Sequence, residues 1–92
     1  MTTTLKLTPL MESLKLTAER EGLLTTVTAG PADQQVDMLV YNASDPRRDQ
    51  LTISSWVSPA GRLRHAARRG LGYTWKATSL NAVPEFLLEM AK

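Results

Sequence analysis

The chain has 92 residues, 42% of them hydrophobic and 22% charged, with a formal net charge of +2 and no cysteine. That length holds one core and no second domain, the composition argues against intrinsic disorder, and the lack of cysteine excludes a disulfide framework, so a reducing, cytoplasmic setting is expected. No apolar run has the length of a signal peptide or a membrane span, so no membrane partner is expected.

Residues 1–7 are expected to be disordered or to form a short edge strand of a single domain covering 1–92. Thr8-Pro9 then opens a helix: threonine accepts from first-turn amides, and proline at the first helical position loses no needed donor. Leu10, Met11, Leu14 and Ala18 follow at helical spacing, and Gly22 stops the helix. Leu23 to Ala29 is rich in β-branched residues and reads as a strand, broken by Gly30-Pro31-Ala32-Asp33. Val36 to Ala43 is a second strand, and a loop around Asp45-Pro46 leads to a third over Leu51 to Val57. Ser58-Pro59-Ala60-Gly61 reads as a tight turn, which makes Arg62 to Ala67 a returning fourth strand. A helix over Arg62 to Arg69 is the competing reading, because Leu63, Ala66 and Ala67 would share a face. After Gly70-Leu71-Gly72, Tyr73 to Ala77 is a short final strand. Pro84 belongs in the first turn of a last helix, which runs to about Ala91 with Leu80, Val83, Leu87 and Met90 on its inner side.

The expected fold class is α+β: an N-terminal helix, a three- to five-stranded antiparallel sheet and a C-terminal helix, with both helices on one face of the sheet. Alternation then sorts the strands. Val36, Met38, Val40, Leu51, Ile53, Val57, Leu63, Tyr73 and Trp75 are expected in the core. Leu39, Tyr41, Thr52, Ser54, Trp56, Arg62, Arg64, Arg68, Thr74 and Lys76 are expected on the other face. A slip of one residue would exchange the two sets.

Charge is distributed unevenly. Between Gln50 and Pro84 there is no Asp or Glu, while Arg62, Arg64, Arg68, Arg69 and Lys76 add five positive charges. The expected outward face therefore combines the rings of Tyr41 and Trp56 with Arg62, Arg64, Arg68 and Lys76. Cations that meet phosphates and flat rings that stack bases are what nucleic-acid binding requires. The same residues would also serve as the centre of a protein interface, with a host protein or a second copy of the chain, since aromatics and arginine are enriched there. A plainly solvated sheet face is the bland alternative.

Catalytic, metal and cofactor signatures are absent from the sequence. His65, the sole histidine, would be the natural general acid or base of a small ribonuclease, with neighbouring arginines on the phosphate. Alternation instead turns it towards the helix-covered side, where a lone histidine is structural. One histidine and no cysteine give no ligand set for zinc, and Gly70-Leu71-Gly72 lacks the spacing of a phosphate loop. A non-enzymatic binding module is the expected class.

The order α-β-β-β-α resembles double-stranded-RNA-binding domains, in which the second helix opens with lysines that grip phosphate. Here that position reads Ser79-Leu80-Asn81-Ala82-Val83, without a cation. The three-stranded sheet followed by a helix also looks like the arm-type DNA-binding domains of phage integrases. Size and an Arg- and Ala-rich composition are similar to accessory proteins of phages and of bacteria with GC-rich genomes, which implies docking on a host protein.

Overall fold

The computed structural model describes residues 7–32 and 34–92. The expected disordered or edge-strand segment thus falls, except for Leu7, outside the described residues, as does Asp33 of the first turn. Leu7 packs against the core without joining a strand.

Helix α1 covers Pro9–Arg20. Its start is fixed by Thr8, whose hydroxyl accepts from the Met11 amide at 3.2 Å. Its end is a Schellman closure, in which the amides of Gly22 and Leu23 donate to the carbonyls of Glu19 and Ala18. Gly22 supplies the left-handed conformation this needs, at φ 82°. Strands β1 (Leu24–Ala29), β2 (Val36–Tyr41), β3 (Gln50–Val57), β4 (Leu63–Gly70) and β5 (Lys76–Thr78) follow, and a short 3₁₀ turn leads into α2 (Val83–Met90). The strands form one antiparallel sheet in the order β1-β2-β3-β4-β5. This is the α+β class the sequence implies, with the sheet at its full five strands. Among the described residues, no helix is long and apolar enough to cross a membrane.

The loops at Asp45-Pro46 and Ser58-Pro59 join antiparallel neighbours as expected. In the second of them, the Gly61 amide donates to the Ser58 carbonyl and the Ser58 amide to the Arg62 carbonyl, both at 2.8 Å. Gly61 takes φ 81° there, the left-handed residue that follows a type I turn in this kind of hairpin. The helical alternative for Arg62 to Arg69 is excluded, because β4 pairs with β3 along its whole length, from Val57–Leu63 to Gln50–Gly70. The loop between β2 and β3 is tied to the far end of the chain. Asn42 Nδ2 donates to the Met90 carbonyl at 2.7 Å, and Arg48 donates to the carbonyls of Glu89 and Met90. These side chains satisfy carbonyls that the last turn of α2 leaves without an intrahelical donor.

One hydrophobic cluster joins Met11, Leu14 and Ala18 of α1 and Val83, Leu87 and Met90 of α2 to Val36, Met38, Val40, Leu51, Ile53 and Ala67. Those strand residues alternate along β2, β3 and β4 and lie opposite one another in register. They therefore share a face, called here the buried face. Four expected core residues stay outside this cluster, the first being Val57, which is only half-buried at the hairpin end of β3. Leu63 sits at the hairpin end of the sheet and is 51% exposed. Tyr73 is fully exposed, because the strand begins at Lys76 and Tyr73 lies in the preceding turn. Trp75 lies towards the second face of the sheet, for a reason that the site itself makes clear.

Candidate functional site

Register defines the second face row by row. Thr26, Leu39, Thr52, Arg68 and Ala77 form one row across all five strands; Thr28, Asp37, Ser54 and Ala66 form the next; Trp56 and Arg64 form the third. The middle row is short-chained at Ser54 and Ala66, while Arg68 on one side and Trp56 on the other are large. A hollow of about 600 Å³ results, with Trp56, Trp75, Arg68, Asp37 and Gln35 among its lining residues. That volume falls within the roughly 300–1,000 Å³ of ordinary ligand sites.

Trp75 reaches this hollow because residue 70 is a glycine. Gly70 is buried at the end of β4, and a Cβ there would lie 2.4 Å from the Thr74 carbonyl oxygen and 2.6 Å from the Trp75 Cα. Without a side chain at 70, residues 71–75 fold back close against the strand. The turn is closed by the Thr74 amide and hydroxyl, which both donate to the Leu71 carbonyl, and the Trp75 indole donates to the Gly72 carbonyl at 2.9 Å. The same turn reverses the expected sidedness of the last strand. Lys76 pairs with Arg69, itself opposite buried Leu51, so Lys76 belongs to the buried-face side and not with Trp56.

The sequence-derived cluster is thus partly assembled. Trp56 and Arg64 are direct cross-strand neighbours, and Arg68 lines the hollow with Trp56. Arg62 precedes β4 and lies in the turn. Tyr41 is distant: it lies two residues beyond Leu39 in one direction and Trp56 four beyond Thr52 in the other, about 20 Å along the strands. Tyr41 instead faces Leu24 across β1 and β2. The basic stretch is divided as well, for Arg69 lies on the buried-face side with its guanidinium 4.9 Å from the Phe86 ring centroid.

Two residues that composition did not single out complete the hollow. Gln35 Nε2 donates to Asp37 Oδ1 at 2.9 Å, and Gln35 Oε1 accepts from the Ala32 amide at 3.0 Å. Both ends of the Gln35 amide are therefore held, and Asp37 with them. Their sequence signal was the alternation of β2 itself, which puts Asp37 on the face opposite Val36 and Met38.

His65 lies on the buried-face side, as alternation requires, with Nδ1 2.7 Å from Ser55 Oγ. Ser55 is 2% exposed, and its hydroxyl also approaches Met11 Sδ at 3.1 Å. The contact links β3, β4 and α1, and a serine so enclosed offers a substrate no approach. Among the described residues, no group of three or more His, Asp or Glu side chains converges. No family model, curated protein or solved structure matches the chain.

Proposed function

We propose that this protein is a non-enzymatic binding module whose second sheet face takes single-stranded nucleic acid. The observation that carries this reading is the meeting of Trp56, Trp75 and Arg68 around one hollow, with Arg64 directly across from Trp56. Indole rings give bases a stacking surface, worth about 1–3 kcal/mol per base, that tolerates every base. The arginines supply positive charge for the intervening phosphates. A duplex hides its base faces, so a site built on stacking favours single strands.

Titration of the protein with single-stranded DNA, single-stranded RNA and duplex DNA at low salt tests this. Saturable quenching of tryptophan fluorescence and a mobility shift are expected, stronger for single strands, and both should weaken in the Trp56→Ala variant. Absence of quenching and of any shift with all three would overturn the proposal.

The far end of the same face favours a second reading. Leu24 is exposed there, next to Tyr41 and Leu39, with no cation in their row positions on β1 and β2. That composition fits a protein partner or a second copy of the chain. Such binding would resist salt, where nucleic-acid binding would not.

A further inference from the structure

We infer that the hollow selects guanine among the bases, through Asp37; the inference rests on the reading of the second face as a nucleic-acid site. A purely stacking and phosphate-binding groove has no use for a carboxylate, whose charge repels the strand. Here the carboxylate lines the hollow, in the row between those of Arg68 and Trp56. It is also oriented. Oδ1 accepts from Gln35 Nε2, and that amide is anchored at its other end to the Ala32 backbone. Among the described residues the ion pairs are Lys15–Glu19 and Arg48–Asp45, so neither Asp37 nor Arg68 is taken up in one.

An ionised carboxylate only accepts hydrogen bonds, and it does so best from two parallel donors. Guanine alone among the bases presents such a pair on its pairing edge, the ring N1–H beside the exocyclic N2 amine. Adenine and cytosine each set one amine beside a ring nitrogen that is itself an acceptor. Thymine and uracil set one N–H between two carbonyl oxygens, which a carboxylate repels. A guanine stacked on the tryptophan surface would turn its donor pair to Asp37, while Arg68 meets the adjoining phosphate. The chemistry belongs to the base, so DNA and RNA are both eligible.

The test uses short thymidine tracts with a central guanine, inosine or thymine, each as DNA and, with uridine, as RNA. Inosine keeps N1–H and lacks the N2 amine. Binding is read by tryptophan quenching on wild type and on Asp37→Asn, whose fold is checked by its melting curve. For wild type, the guanine tract should bind roughly tenfold to a hundredfold tighter than the all-pyrimidine tract, with inosine between them. In Asp37→Asn the preference should vanish while the pyrimidine tract still binds. The DNA and RNA series then show which backbone is favoured. Equal binding of all three tracts by wild type would overturn the guanine inference and leave the nucleic-acid reading standing, as would a preference that survives Asp37→Asn. Failure of every tract to bind wild type would overturn both.

Discussion

Residue 70 decides the position of Trp75, and with it the shape of the hollow. Alanine at this position must displace the Thr74–Trp75 backbone, because the nearest atoms are main chain and not the yielding end of a side chain. Overpacking of that kind costs about 1–3 kcal/mol. Gly70→Ala is therefore expected to lower the urea midpoint and to free the Trp75 ring. Acrylamide quenching in a Trp56→Phe background, where Trp75 is the reporter, should rise clearly over the Gly70-containing parent. Unchanged quenching with unchanged stability would show that the turn does not hold the indole. His65 and Ser55 illustrate the opposite case at the same scale. They are close enough for a hydrogen bond, yet the burial of Ser55 beside Met11 gives the contact a packing role.

Among the elements, β2, β3 and the helices were legible, β4 left a helical alternative open, and the short β5 was not legible. Strands β2 and β3 carry an alternation that extends over six and eight residues, so Val36, Met38, Leu51 and Ile53 could take only one face. The helices were equally plain, since Thr8-Pro9 and Gly22 mark α1 chemically and Pro84 can stand only in the first turn of α2. Strand β5 has three residues, too few for a period to show. Its sidedness is set by a close backbone approach at Gly70, a contact between residues that no local pattern encodes. Carrying the strand back to Tyr73 inverted the assignments of Trp75 and Lys76. The candidate site was legible at Trp56 on β3; Arg64 and Arg68 depended on β4 being a strand, which the sequence left open against a helix, and the parts that rest on turns were illegible. The faces of the helices make a direct test of these assignments. Leu14 and Leu87 are buried in the shared cluster, whereas Leu16 and Leu88 are about half exposed on the same helices. Leu14→Ala and Leu87→Ala should each lose about 2–5 kcal/mol in urea unfolding. Leu16→Ala and Leu88→Ala should stay within about 0.5 kcal/mol of wild type. Equal losses in both pairs would mean that the helix faces are wrongly assigned.

For the whole molecule, the question is whether placement or mere quantity of charge governs binding. The acid-free stretch from Gln50 to Pro84 holds five cations, and the fold distributes them over different surfaces. Arg64 and Arg68 share the second face with Trp56, Arg62 lies in the hairpin turn, and Arg69 and Lys76 belong to the other side. The molecule measures 39 × 28 × 23 Å, comparable with the screening length of about 30 Å at 0.01 M salt and several times the roughly 8–10 Å of ordinary buffers. Its general field would therefore act on a nucleic acid from any side at low salt and fade quickly as salt is added. Two double variants separate that field from a built site, since each removes two positive charges. Arg64→Ala with Arg68→Ala removes them from the face carrying the hollow, and Arg62→Ala with Lys76→Ala removes them from elsewhere. Each phosphate contact on a single strand contributes about 0.7 to the slope of log affinity against log salt concentration. The first pair should thus flatten the slope by about 1.4 if each arginine holds one phosphate, while the second leaves it near the wild-type value. Melting curves would verify that both variants fold. If the two pairs flatten the slope alike, binding follows net charge, and the second face has no special claim to the phosphates.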